Sequence, residues 1–157
     1  MLTFTNLERS PRMAELKITY RRKSAKGSKQ SLSGPVSAAE YVRGLFDPAT
    51  LDLREEFFAV YLNNKLEPVG WVRHGIGTMT AAVFDARIVF GVAVQVACVG
   101  VVLAHNHPSG GDPQPSDEDV SMTRRLVAAG EVLGVRIFDH IIVTRRGYFS
   151  FDENNLV

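Results

Sequence analysis

The stretch VGVVLAHNHPSGGDPQPSDED, residues 99–119, decides how this chain folds. It opens with an uninterrupted apolar run from Val99 to Ala104, which is typical of a strand buried on both faces. Pro108 to Pro115 then contains three prolines and two glycines, which predicts a stiff loop. Ser116 begins a helix that Gly134 ends. A buried strand, a tight loop and a helix therefore form the centre of the predicted fold.

Two histidines follow the apolar run. Side chains alternate between the two faces of a strand, so His105 and His107 point the same way while Asn106 points away. Such a pair can hold one metal ion at zinc–nitrogen distances of about 2.0–2.1 Å. Asp119, in the first turn of the following helix, can return a carboxylate to the same point. Three protein ligands leave a fourth tetrahedral position open for water, which is typical of a catalytic zinc site.

Each part of this pattern also has a purely structural interpretation. A His-x-His at a strand end is commonly polar surface, and Ser116 with Asp119 fits a helix capping box. The combination favours a metal site, because both histidines, the proline-rich loop and Ser-x-x-Asp follow a buried strand in order. Capping does not exclude ligation, since a first-turn side chain faces whatever lies beyond the helix N-terminus. Asp112, in the loop, is an alternative ligand.

Three helices are predicted. Ser37 can cap the first, which runs to about Leu45, with Glu40 completing a capping box. The second, Asp85 to about Cys98, is apolar on nearly all sides and is therefore expected to be central. The third begins at Ser116, and its expected inner face is Val120, Leu126, Val127 and Leu133.

Short apolar runs between turn residues predict the strands, which are residues 57–62, 69–72, 99–104, 135–144 and 148–151. A further short edge strand is predicted at Leu16–Tyr20. Gly75 and Gly77 indicate a loop, in which the lone His74 is interpreted as a surface residue. The predicted fold is of the α/β (mixed α+β) class, a mixed sheet flanked by helices.

Composition indicates one globular domain of ordinary hydrophobicity, with 157 residues, 45% hydrophobic and 22% charged. Residues 1–30 hold eight Lys or Arg against two Glu, although the whole chain has a net charge of only +1. This predicts a basic, partly flexible arm over residues 1–35 and a folded domain over 36–157. The single cysteine, Cys98, and the lack of a signal peptide predict a cytoplasmic protein without a membrane span.

Three segments carry a resemblance to a known family. Ala104-His-Asn-His-Pro-Ser-Gly110, then Pro115-Ser-x-x-Asp119, then Asp139-His-Ile-Ile142 resemble the RadC-like branch of the JAB/MPN metalloprotease superfamily. The JAMM signature of that superfamily is a distant Glu, then His-x-His-Pro, then Ser-x-x-Asp. The resemblance covers roughly residues 36–157. It implies an MPN/JAB-like mixed sheet with cytidine-deaminase-like layering, one Zn²⁺ ion per chain, and hydrolysis of a peptide or isopeptide bond.

The resemblance also implies roles for individual residues. Aligning Arg54-Glu-Glu-Phe57 with the family places Glu55 as the general base, with Glu56 the rival by one register step. His105, His107 and Asp119 are the implied metal ligands. Ser116 is expected to donate a hydrogen bond to the oxyanion of the reaction. Asn106, Ser109 and His140 are candidates for supporting roles only.

One departure concerns the loop, where eight residues separate His107 from Ser116 and the family pattern usually has seven. Full-length RadC-like proteins usually carry a helix-hairpin-helix region, which the arm of this chain is too short to hold. The alternatives to an enzyme are a non-catalytic MPN interaction module and a DNA-associated accessory protein. The latter agrees with the DNA-repair label of RadC-like proteins, and its support here is the basic arm, which could make weak nucleic-acid contacts. Neither the substrate nor the oligomeric state follows from the sequence.

Overall fold

A computed structural model describes residues 30–76 and 85–157 of the chain. Its elements, in chain order, are α1 (Pro35–Arg43), β1 (Glu56–Leu62), β2 (Pro68–Ile76), α2 (Ala86–Gln95), β3 (Gly100–Asn106), α3 (Asp117–Leu133), β4 (Arg136–Val143) and β5 (Tyr148–Ser150). The strand predicted at 16–20 and the residue Gly77 lie outside the described residues. Within the described residues, no helix has the length and apolar character needed to cross a membrane.

The five strands form one mixed sheet in the order β2-β1-β3-β4-β5, which confirms the predicted fold class. β3 is the central strand, with β1 antiparallel on one side and β4 parallel on the other. β2 pairs with β1 and β5 pairs with β4, and these two strands form the edges of the sheet. Every residue of β3 is buried, as the uninterrupted apolar run predicts.

Helices cover both faces of the sheet, so the core has two halves. On the α1 face, α1 packs on side chains that alternate along the strands, among them Phe58, Val60, Val102, Ala104 and Ile141. On the α2/α3 face, the two other helices cover the intervening side chains, among them Phe57, Ala59, Val101, Leu103 and Ile137. The alternation of neighbours along β1 and β3 between these two halves follows from the period of two in a strand.

The helices differ in detail from the sequence prediction. The N-cap of α1 is Gly34 and not Ser37, whose hydroxyl instead donates to Gly34 O at 2.8 Å and accepts from Gly34 N at 3.3 Å. Pro35 suits the first helical position, because its missing N–H needs no partner there. The prediction that Ser37 begins this helix is therefore wrong by one turn.

The prediction of a central α2 is also wrong. Only Val89, Phe90 and Ala93 are buried, whereas Ile88 and Val94 are exposed. On α3, Leu126 is buried as predicted, but Leu133 is exposed, and Thr123 and Gly130 complete the inner face. Apolar content alone overestimates burial where a helix is covered on one side only.

Two glycines set the end of α3. Gly134 adopts a left-handed conformation (φ 67°) and ends the helix as predicted. Gly130 approaches the chain after the helix so closely that a Cβ atom there would lie 2.3 Å from Val135 O. The absence of a side chain at Gly130 therefore lets the chain turn back closely against the last turn of α3.

One turn prediction on the β1–β2 side is wrong. Gly75 lies within β2, and His74 is a half-buried strand residue whose Nε2 lies 3.1 Å from the hydroxyl oxygen of Tyr61. Burial lowers the pKa of His74. Pairing with β1 therefore continues β2 through Gly75, where the glycine content predicts a loop.

Candidate metal centre

Three side chains meet where β3 ends and α3 begins. His105 Nε2 lies 2.9 Å from His107 Nε2 and 3.2 Å from Asp119 Oδ1, and His107 Nε2 lies 3.4 Å from Asp119 Oδ2. Within residues 30–76 and 85–157 these three form the one group of His, Cys, Asp and Glu side chains arranged to hold a metal ion. The structure thus brings together the three residues predicted from the sequence as ligands.

The donor set fits a zinc-type ion. Ligand atoms about 2.0–2.1 Å from a tetrahedral ion lie roughly 3.3 Å from one another. The imidazole nitrogens are 2.9 Å apart and lie 3.2 and 3.4 Å from the nearer of the two Asp119 oxygens, which is close to that value. Two imidazole nitrogens and a carboxylate oxygen are also the donor types that zinc accepts at catalytic sites.

The sheet fixes the two histidines. His105 is paired with Phe57 of β1 on one side and with Ile142 of β4 on the other, so its backbone is held from both sides. His107 follows the strand, and its backbone N–H donates to Val143 O at 3.1 Å. His105 is buried and His107 is half-buried, so the second imidazole borders solvent.

The helix start fixes the carboxylate. Asp119 Oδ2 accepts hydrogen bonds from the backbone N–H of Ser116 at 2.8 Å and from its hydroxyl at 2.7 Å. In return, Ser116 Oγ accepts from the backbone N–H of Asp119 at 3.1 Å. The capping box and the approach to the histidines therefore coexist, since the carboxylate faces beyond the N-terminus of the helix.

The surroundings of Asp119 keep it ionised. Burial alone would raise the pKa of its carboxyl group, but the neighbouring imidazoles of His105 and His107 and the hydroxyl of Ser116 hold the pKa well below its usual range. An ionised carboxylate is the form that binds a metal ion.

The two glutamates before β1 have different surroundings. Glu56 is buried, its Oε1 accepts from Arg54 Nε at 2.9 Å, and Arg73 Nη1 lies 3.7 Å away. Its backbone N–H donates to Asn106 Oδ1 at 2.7 Å, and Asn106 is buried and points away from the histidines as predicted. Glu55 precedes the strand and is half-buried.

Asn106 also fixes the segment that leads to these glutamates. Its side-chain amide donates to Leu51 O at 2.6 Å and to Arg54 O at 2.8 Å.

Of the remaining candidates, Ser109 is exposed, and Asp112 is exposed with Arg146 at 3.7 Å. Asp112 does not join the three ligands.

Sequence reasoning missed Thr123, which is buried on α3 behind the ligands. Its hydroxyl donates to Asp119 O at 2.6 Å and lies 2.7 Å from His140 Nδ1. His140 Nε2 in turn lies 2.8 Å from His105 Nδ1. The available signal was a hydroxyl residue four positions after a ligand, on the same face of the helix.

Comparison with known proteins agrees with the architecture. The sequence model of the RadC-like JAB domain matches residues 32–156. A UPF0758 protein of Thermotoga maritima is 47% identical over 100 residues, which cover 64% of this chain and 45% of that relative. One from Symbiobacterium thermophilum is 45% identical over 103 residues, covering 66% of this chain and 44% of the relative.

A UPF0758 protein of Desulforamulus reducens is 38% identical over 123 residues, covering 78% of this chain and 54% of the relative. The chain therefore spans about half the length of the curated relatives it matches. The family model covers most of the chain, including His105, His107 and Asp119 and all five strands. The resemblance drawn from the His-x-His-Pro and Ser-x-x-Asp segments is confirmed, and this chain belongs to the RadC-like JAB domain family.

Proposed function

We propose that this chain is a zinc-dependent metallohydrolase of the JAMM type that cleaves a peptide or isopeptide bond. The observation that carries the proposal is the convergence of His105, His107 and Asp119 through three mutually close ligand atoms. A zinc ion bound there would polarise the substrate carbonyl and lower the pKa of a water ligand from about 15.7 toward roughly 7. Family membership supports the same chemistry, since the JAB/MPN fold includes metalloproteases.

Glu55 is proposed as the general base, which takes the proton of the attacking water and passes it to the leaving nitrogen. The strand register supports this choice over Glu56. Phe57 lies opposite His105 in the sheet, so the two side chains share the α2/α3 face. Side chains alternate along a strand, which puts Glu56 on the other face, and the same alternation continued one residue before β1 favours the face of His105 for Glu55.

The ion pairs of Glu56 support the same conclusion. The Glu56 carboxylate is buried and already engaged, with Arg54 Nη2 at 2.8 Å and Arg73 Nη1 at 3.7 Å. Its role is to neutralise two arginines beside β1 and β2. Glu55 has no such role in this proposal and is available to the reaction.

Ser116 is proposed to donate a hydrogen bond to the substrate oxyanion. Such a donor typically contributes about 2.7–4 kcal/mol to transition-state stabilisation. Its hydroxyl proton points to Asp119 Oδ2 in the arrangement described here. The proposal therefore requires this proton to turn from the carboxylate to the substrate during the reaction.

A matched pair of variants tests the assignment of the base. Glu55→Gln should retain about one zinc ion per chain and lose hydrolysis by about 10²–10⁴-fold, because only proton transfer is removed. Glu56→Gln should keep hydrolysis and lower the stability of the fold, because Arg54 and Arg73 lose their carboxylate. Zinc quantification and cleavage of peptide and isopeptide libraries provide the measurements.

Two outcomes contradict the proposal in different ways. Loss of activity in Glu56→Gln but not in Glu55→Gln would show that the base is the other glutamate. Purified protein that binds no zinc would instead favour the non-catalytic interaction module.

The predicted nucleic-acid contact of the basic arm has its own test. DNA binding that falls steeply with salt concentration should vanish when residues 1–30 are deleted.

A further inference from the structure

Behind the metal centre, four groups form one hydrogen-bonded chain. It runs from Asp119 O to Thr123 Oγ1 at 2.6 Å, on to His140 Nδ1 at 2.7 Å, and from His140 Nε2 to His105 Nδ1 at 2.8 Å. Thr123 and His140 are fully buried and His105 is nearly so. These hydrogen bonds connect the backbone carbonyl of Asp119 to Nδ1 of His105, the ring nitrogen that does not face Asp119.

The protons of this chain can be counted. A carbonyl oxygen only accepts, so the single hydroxyl proton of Thr123 lies on the bond to Asp119 O. Thr123 Oγ1 must then accept from His140 Nδ1. A neutral imidazole carries one N–H, which leaves His140 Nε2 as an acceptor for the N–H of His105 Nδ1.

The surroundings of His140 support its neutral form. Its ring packs against Phe57 and Phe151, with ring centroids 5.8 and 4.7 Å away, and within the described part of the chain its two nitrogens have Thr123 and His105 as hydrogen-bond partners. A fully buried imidazolium without a carboxylate partner would be costly. The neutral ring therefore has one N–H, which the threonine holds on Nδ1.

We infer that Thr123 and His140 are positioning residues that fix the proton of His105 on Nδ1 and leave its Nε2 lone pair facing His107 and Asp119. The opposite tautomer would place a proton on His105 Nε2, where it blocks ligation. Metal-binding histidines usually donate their second N–H to a carboxylate, a backbone carbonyl or water. Here a second imidazole accepts it, and a helix hydroxyl sets the orientation of that imidazole.

The inference rests on the metal centre of the proposed function and is independent of hydrolysis. Thr123→Val removes the hydroxyl with little change in volume, so nothing then holds the His140 proton on Nδ1. Zn²⁺ affinity, measured by competition with a chelating dye, should fall at least about tenfold. Thr123→Ser restores the hydroxyl and should restore affinity to within about threefold of the parent protein.

A matched control separates this effect from general loss of stability. Thr144 is also buried, and its hydroxyl oxygen accepts from Arg146 N at 3.2 Å, outside the chain of hydrogen bonds described above. Thr144→Val should keep the Zn²⁺ affinity of the parent protein. Equal losses in Thr123→Val and Thr144→Val would overturn the inference, as would parental affinity in Thr123→Val.

The proton can also be located directly in the metal-free parent protein, which keeps the test independent of how the variants fold. The ¹⁵N chemical shifts of ¹⁵N-histidine-labelled protein should show His105 protonated on Nδ1 and bare on Nε2. A proton on Nε2 would overturn the inference. Because this measurement involves neither zinc nor substrate, an inactive parent protein would contradict the proposed function while leaving this result in force.

Discussion

Neighbouring residues of β4, Asp139 and His140, belong to two buried polar clusters on opposite faces of the sheet. Asp139 lies on the α1 face. Its Oδ1 accepts from the backbone N–H groups of His140 at 2.7 Å and Asp152 at 3.0 Å, and its Oδ2 accepts from Ser150 Oγ at 2.7 Å. His140 lies on the α2/α3 face, where its Nε2 is 2.8 Å from His105 Nδ1.

The two clusters differ in how their lone pairs are satisfied. Three N–H and O–H donors satisfy Asp139, so this carboxylate needs no ion. At the metal centre, the ligand atoms of His105, His107 and Asp119 face one another across about 3 Å, close to the spacing around a tetrahedral ion. A carboxylate therefore indicates a metal site where other ligand atoms converge on it, and not where hydrogen-bond donors alone surround it.

The largest expected effect is on metal binding, from matched substitutions in the two clusters. Asp119→Asn should reduce zinc in dialysed protein from about one ion per chain to a trace, because a charged ligand is lost. Asp139→Asn should keep the zinc, since that carboxylate faces the α1 side. Metal analysis by mass spectrometry is the measurement, and equal zinc loss in the two variants would refute the distinction.

The next largest expected effect is a dependence of the free energy of unfolding on pH, which arises from Asp139. Burial raises the pKa of its carboxyl from 3.8 to about 6, against the lowering effect of its three donors. Below pH 3.8 the folded and unfolded states are both protonated, so its stabilising contribution is complete. As the pH rises toward 6, the unfolded state ionises first, and the free energy of unfolding falls.

Asp139→Asn removes this titration and leaves the other groups in place. The unfolding free energy of the variant minus that of the parent should therefore rise between about pH 4 and 6, by at most about 3 kcal/mol. Urea denaturation of both proteins in the presence of a chelator, at several pH values, measures the difference. A difference that stays flat over this range would show that Asp139 titrates normally.

The smallest expected effects are on stability and come from two serines. Each donates to an aspartate at 2.7 Å, Ser150 to Asp139 and Ser116 to Asp119. Ser150→Ala should lower the free energy of unfolding by about 1–3 kcal/mol, because a buried carboxylate oxygen loses its donor. Ser116→Ala removes an exposed helix cap and should cost about 1 kcal/mol. Chemical denaturation of metal-free protein gives both values, and a larger loss for Ser116→Ala would reverse the comparison.

Local features of the chain were predictable because they depend on residues close in sequence. The alternation that puts His105 and His107 on one face, and the stop of α3 at Gly134, need no knowledge of neighbouring elements. The same holds for the pairing of Ser116 with Asp119 within one helical turn. These features were enough to identify the three candidate ligands and the family.

Tertiary structure alone decided features that depend on how distant segments pair. The register of Phe57 opposite His105 puts Glu56 on the α1 face, and one step of slippage would have reversed it. The exposure of Leu133 depends on where α3 leaves the sheet. Likewise, the contact of His140 with His105, 35 positions apart, exists because β4 pairs parallel to β3. Spacing along the chain determines which side chains share a face, but only strand order determines which faces meet.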